Sequence, residues 1–246
     1  MSELVIVRHG QSAGNKGHRF SGWTDSPLTP KGIDDLGQTG RMLAKAGYQF
    51  DHCFTSVLSR SVDAGRIVLD SMGQTELPLT QDWRLNERHF GALQGLDRTG
   101  ALNTFGLRQC FRLIRSYTLL PPPLEDGDPR SSRIDPLYKS LQIAEKDLPM
   151  AESLEDTRDR VIPYWESTIK PRLQGDAQIL IAGHKNSLKV LIQHIERLSN
   201  RNAVRLQILT SQPMIYKLDA NQKLIERISI GKPTRKYSRW TGISPA

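Results

Sequence analysis

The 246-residue chain has little cysteine: Cys53 and Cys110 alone cannot build a disulfide framework, which favours a reducing compartment. Long apolar runs are missing too. The stretches Leu4–Val7 and Ile179–Ala182 fall far short of the roughly 20 residues that a membrane helix needs. The opening, Met1-Ser2-Glu3, carries neither a basic segment nor a long apolar one, so no secretory leader is expected. No internal repeat or domain boundary shows along the chain. Aromatic residues are 7%. The hydrophobic set of 37% together with 19 glycines reaches about 45%, the low edge of the usual apolar share and enough to exclude a disordered chain. A chain of this length buries a sizeable core without staples. The expectation is a cytoplasmic protein with no membrane association.

Acidic residues are the minority charge. Lys and Arg number 34 against 26 Asp and Glu, a net charge of +8 and an isoelectric point near 9.6. Such a balance suits nucleic acid, a small anionic substrate or plain solubility. Dense clustering is confined to Lys232, Arg235, Lys236 and Arg239, interleaved with Tyr237 and Trp240. That is a weak single-strand-binding pattern, so nucleic acid is not the expected partner.

The order of elements reads as α/β. Leu4–Val7 is a buried parallel strand opening into Arg8-His9-Gly10, and ligands in open α/β sheets sit beyond such strand ends. Residues 30–46 are periodic, with Thr29 as N-cap, Pro30 at the first turn and Gly47 as the stop. A strand over 53–56, a helix over 58–72 and a short strand over 77–79 follow. Residues 101–117 are of mixed helical character. The run Pro121-Pro122-Pro123 opens a surface insertion over 121–149. Ser153 with Asp156 forms a capping-box variant for a helix reaching about Leu173, kinked at Pro163. A strand over 178–182, a helix over 187–198, closing strands over 214–218 and 224–230, and a tail over 231–246 complete one domain over 1–246.

Two apolar strands each end in histidine, Val7-Arg8-His9-Gly10 and Ala182-Gly183-His184. If they are parallel neighbours, both imidazoles meet at one sheet edge, and histidine serves as nucleophile or acid/base near neutral pH. A metal site is the rival use, but no third ligand stands at a fitting spacing. Arg8, Arg60 and Arg88 offer forks matched to phosphate oxygens, and Glu87 is a candidate proton donor. Gly10, Gly22 and Gly91 permit tight turns beside an anion.

The segments Arg8-His9-Gly10 with Asn15, Arg19-Phe20-Ser21-Gly22-Trp23, Leu28-Thr29 and Lys31-Gly32 resemble the opening of the cofactor-dependent phosphoglycerate mutases of the histidine phosphatase superfamily. Thr55-Ser56-Val57-Leu58-Ser59-Arg60, Leu85 to Gly95, Glu152-Ser153-Leu154 and Asn186-Ser187-Leu188 extend the match over about 4–230. Arg-His-Gly alone indicates only the superfamily. The Leu85-Asn86-Glu87-Arg88-His89 block and the proline-rich insertion look like the mutase branch.

The resemblance implies a three-layer α/β/α fold with a mostly parallel central sheet. It also implies interconversion of 3-phosphoglycerate and 2-phosphoglycerate in glycolysis and gluconeogenesis, primed by 2,3-bisphosphoglycerate and needing no metal. In that scheme His9 carries the phosphoryl group, Glu87 exchanges the proton, His184 stabilises the moving phosphoryl, and Arg8 and Arg60 grip its oxygens. Asn15, Ser21, Gly22, Arg88, Phe90, Arg98, Arg115 and Asn186 fall on substrate-contact positions. The partner is a small anionic phosphorylated substrate, and a homodimer or homotetramer stays open.

The chain departs from the family pattern at Gln11 (usually Glu), Phe90 (Tyr), Arg98 (Lys), Ile114 (Arg) and Lys185 (Gly). Ile114 removes a cation from the pocket and Lys185 adds one. Two alternatives accompany the mutase: a phosphatase that uses His9 with water as acceptor, and a non-catalytic relative that binds an anion or nucleic acid. The insertion over 121–149, expected to shield the site from water, favours the mutase.

Overall fold

In the computed structural model, which describes residues 1–229, six strands form one sheet in the order β3-β2-β4-β1-β5-β6. They are β1 (Ser2–Arg8), β2 (His52–Thr55), β3 (Leu79–Gln81), β4 (Gln178–Gly183), β5 (Pro213–Leu218) and β6 (Leu224–Ser229). The β3-β2-β4-β1 half is parallel, whereas β5 and β6 run antiparallel to their neighbours. The eight α-helices among the described residues are α1 (Ala13–Lys16), α2 (Pro30–Lys45), α3 (Ser59–Ser71), α4 (Arg98–Arg115), α5 (Pro136–Ser140), α6 (Leu154–Tyr164), α7 (Lys185–Ile195) and α8 (Asn200–Arg205).

Alternation along the strands produces the three layers, because successive side chains point to opposite faces of a sheet. Val5, Val7, Cys53, Leu180 and Ala182 pack on one side with Leu36 and Leu43 of α2 and Ala64 and Val68 of α3. Leu4, Ile6, Phe54, Ile179 and Ile181 pack on the other with Val161 and Tyr164 of α6 and Leu188 and Leu191 of α7. The expected α/β/α architecture with a mostly parallel sheet is thus present.

Local signals explain most element ends. Thr29 caps α2 by accepting from Gly32 N, Pro30 occupies its first turn, and Gly47 follows with φ +85°, a conformation glycine adopts without strain. Ser153 and Asp156 make the expected capping box of α6. The long helix expected down to Leu173 is interrupted: α6 contains Pro163, widens into a π-helix over Trp165–Ile169 and ends in a 3-10 turn over Lys170–Arg172. The third strand lies at Leu79–Gln81 rather than 77–79. α7 begins at Lys185 rather than Ser187 and ends at Ile195. α4 is broken by Gly106 with φ +76°. The basic and aromatic cluster of the tail lies outside the described residues.

The insertion over 121–149 is folded onto the body. Tyr138 stacks on Trp23 at 5.0 Å, and its hydroxyl accepts from Asn86 Nδ2 at 3.1 Å. Pro122 O accepts from Ala92 N at 2.8 Å. These contacts back the loop carrying Glu87.

Candidate active site

In the β1–β4 register Arg8 stands opposite Gly183, so the next residues, His9 and His184, leave the sheet side by side. Their ring centroids are 5.1 Å apart, and His9 N donates to Gly183 O at 3.0 Å. His9 Nδ1 lies 2.8 Å from Gly10 O. A carbonyl only accepts, so Nδ1 carries the proton and the Nε2 lone pair is left for bonding. Burial, with Arg60 and Arg8 next in size, holds His9 well below the usual histidine range. His184 is shifted the same way by burial, then Arg60. Both rings are therefore neutral near pH 7, as a nucleophilic imidazole must be.

A cavity of about 710 Å³ opens over His9 at the strand ends. Of the residues expected from the sequence, Arg8, His9, Asn15, Ser21, Gly22, Arg60, Glu87, Arg88, Phe90, Arg98, Arg115, Lys185 and Asn186 all line it. His184 sits behind that lining, fully buried, with Nε2 2.7 Å from Ser56 Oγ and Nδ1 without a partner. Ile114, one of the departures, lines the same cavity. No residue of the insertion is among the lining, so the expected shielding gives way to a supporting role behind the Glu87 loop.

The cations are fixed by carbonyls. Arg60, 1% exposed, donates to Gly22 O at 2.7 Å and Thr24 O at 3.0 Å. Gly22 has φ +52°, and a Cβ there would collide with the Gln94 side chain, which is why glycine presents this carbonyl. Arg8 donates to Ile208 O at 2.9 Å. The Nε atoms of Arg8 and Arg88 are buried without a partner. Both guanidinium groups belong to side chains that line the cavity, and such forks match the oxygens of an anionic ligand. Asn15 is held in a capping box with Ser12, and Arg88 lies 4.8 Å over the Phe90 ring.

Glu87 Oε1 accepts from Arg88 N at 2.8 Å and Asn186 N at 3.0 Å. These bonds tie the carboxylate to the first turn of α7 through Oε1 alone. Arg160 pins the loop from behind: it donates to the carbonyls of Arg84, Asn86 and Glu87 and pairs with Glu152 at 2.6 Å. Glu152 in turn accepts from His89 N at 2.7 Å.

Sequence reasoning missed Arg160, Lys189, Arg201 and Arg205. Nothing in the sequence marks Arg160, whereas Lys185 and Lys189, and likewise Arg201 and Arg205, stand four residues apart and so share a helix face. Lys189 donates to Val204 O at 2.6 Å. Burial, helped by Lys185 and Arg88, draws its ammonium down to about 7. Between that value and roughly 10.4 for a free lysine, the unfolded chain binds protons that the folded chain binds less, so stability rises with pH across that window. Relative to Lys189→Met, the wild type is expected to gain up to about 1.4 kcal/mol per pH unit from pH 7 to 10, measured by urea unfolding. Identical slopes for the two proteins would refute the shift.

Among the described residues no group of three His, Cys, Asp or Glu side chains is placed to hold a metal ion. No helix among them is long and apolar enough to cross a membrane.

A sheet-edge histidine pair beside a cavity lined by arginines has the chemistry that suits a phosphoryl group. Residues 4–147 match the histidine phosphatase superfamily (branch 1), and the chain belongs to that family. It is 40% identical over 233 residues, 95% of this chain and 93% of the relative, to a protein of Parabacteroides distasonis named 2,3-bisphosphoglycerate-dependent phosphoglycerate mutase. Among solved structures, a mycobacterial glucosyl-3-phosphoglycerate phosphatase superposes with a TM-score of 0.67 at 21% identity, covering 94% of this chain and 98% of that one. A phosphoglycerate mutase of Bacillus anthracis gives 0.60 at 20% identity, covering 91% and 90%. At those identities the two structures speak to the fold alone.

Proposed function

We propose that the protein is a phosphoglycerate mutase that interconverts 3-phosphoglycerate and 2-phosphoglycerate and is primed by 2,3-bisphosphoglycerate. The observation that carries this reading is His9 itself: a neutral imidazole with its Nδ1 proton committed to Gly10 O, at the floor of a cavity lined by Arg8, Arg60 and Arg88. The 40% identity to the Parabacteroides distasonis protein of that name supports it. His9 Nε2 attacks phosphorus as the P–O bond breaks, Glu87 gives its proton to the departing oxygen, and the reverse transfer to the neighbouring hydroxyl returns it. Arg8, Arg60 and His184 Nδ1 meet the charge spread over the phosphoryl oxygens, which is the main requirement of phosphoryl transfer. No step calls for a metal ion.

Mutase turnover measured with and without 2,3-bisphosphoglycerate, beside release of inorganic phosphate, tests the reading. Primer-dependent isomerisation supports it. Phosphate release without isomerisation would replace it with a phosphatase, and neither activity would leave a binding protein.

Lys185 supplies the cation that Ile114 does not. Both line the cavity, and Lys185 lies within the fields of Arg8, Glu87, Arg88 and Arg98. A lost charge-assisted contact costs roughly 1.5–3 kcal/mol. Lys185→Gly is therefore expected to lower kcat/KM about 10- to 150-fold, and adding Ile114→Arg should restore most of it. A gain on Lys185→Gly alone would show that the lysine obstructs the site.

A further inference from the structure

Among the described residues, eight arginines and two lysines line the cavity against one carboxylate, Glu87. A three-carbon molecule bearing two phosphates and a carboxylate brings roughly five negative charges, so the wall is more cationic than such a ligand requires. Lys189 of α7 and Arg201 and Arg205 of α8 line the cavity together, with Lys185 between them and His9 in sequence along the α7 wall.

Among the described residues none of these three basic side chains forms an ion pair, and Arg201 and Arg205 make no side-chain hydrogen bond. Like charges four residues apart on a helix repel, and here two such pairs meet on packed helices. The arrangement is nonetheless held firmly. Lys189 fastens α8 through Val204 O at 2.6 Å, and Arg8 fastens the segment after it through Ile208 O at 2.9 Å. In its protonated form, which a bound anion favours, Lys189 has three donors, one given to Val204 O and two left for a ligand. A volume of about 710 Å³ lies within the range of roughly 300–1,000 Å³ that accommodates drug-sized molecules, leaving room beyond a three-carbon skeleton.

We propose that Lys189, Arg201 and Arg205 form a second anion subsite, which admits small polyanions carrying a further phosphate-type group beyond those of a phosphoglycerate. The proposal rests on the reading above only for the inner end of the cavity, where the first phosphoryl group lies against His9. A linear phosphate chain would run from there along the α7 wall to α8, its far end meeting the two exposed arginines.

The test is titration calorimetry with inorganic tripolyphosphate, using inorganic phosphate as the ligand that fills one position only. The wild type is expected to bind tripolyphosphate more tightly than phosphate. Arg201→Gln with Arg205→Gln should weaken tripolyphosphate about tenfold, the size expected for two partly exposed charge contacts, and leave phosphate within about twofold. Both arginines are exposed, so the variant should unfold at the wild-type temperature. A control with the same charge change, Arg108→Gln with Arg112→Gln on the exposed face of α4, should bind both ligands as the wild type does. Equal weakening by the control would replace the subsite with a diffuse field. No preference for tripolyphosphate, or no loss in the first variant, would also overturn it. Binding is read without turnover, so this result stands apart from whether His9 takes up a phosphoryl group.

Discussion

Exposed to 2,3-bisphosphoglycerate, the protein is expected to carry a phosphoryl group on His9 that is labile in acid and stable in base. His9→Ala should lose that adduct and at least about 10⁴-fold in mutase turnover, the scale of loss when a covalent nucleophile is removed. The argument is one of tautomer and solvation. Gly10 O holds the Nδ1 proton at 2.8 Å, and burial beside Arg60 and Arg8 keeps the ring unprotonated. An Nε2 lone pair is therefore available at neutral pH. His184 is also buried, but its Nε2 is engaged with Ser56 Oγ at 2.7 Å and it is not among the cavity lining, so His9 is the ring expected to attack. Peptide mapping after base treatment decides the matter, and a phosphoryl group on His184 would invert the two roles.

The histidine pair was legible in the sequence because two fully apolar runs each stop at a histidine, which is how buried parallel strands end at a ligand-facing edge. Their 5.1 Å separation was not legible, since it depends on β4 lying next to β1 in register, a matter of sheet order. Edge elements were read less well. β3 is shifted because Leu79–Gln81 is only partly buried at the sheet margin and has no apolar pattern. α8 was overlooked because it is a six-residue turn of helix with a single buried residue, Ala203. Lys189 escaped notice for a different reason: a lysine within a helix looks like solvent-facing charge, and only packing against α8 reveals it as 5% exposed. The insertion showed the converse error. A cover over the site is the expectation for residues 121–149, but Tyr138 and Pro122 attach the insertion to the Asn86–Ala92 loop.

Glu87→Gln is expected to lower kcat for the mutase reaction about 10²–10⁴-fold, the usual share of a positioned acid/base, with KM changed far less. The substitution suits the geometry. Oε1 of Glu87 accepts from Arg88 N and Asn186 N, and the amide oxygen of glutamine accepts the same two bonds, so the loop and the first turn of α7 stay in place. Arg160 continues to hold the loop through its backbone carbonyls. What is lost is the proton that the second oxygen exchanges with the substrate hydroxyl. That loss matters only when the departing oxygen is a poor leaving group. An aryl phosphate such as p-nitrophenyl phosphate departs without protonation, so transfer of its phosphoryl group to His9 should fall less than about tenfold in Glu87→Gln. A variant that loses both reactions equally would show that Glu87 shapes the site rather than moving the proton, and the proton would then have to come from another group lining the cavity.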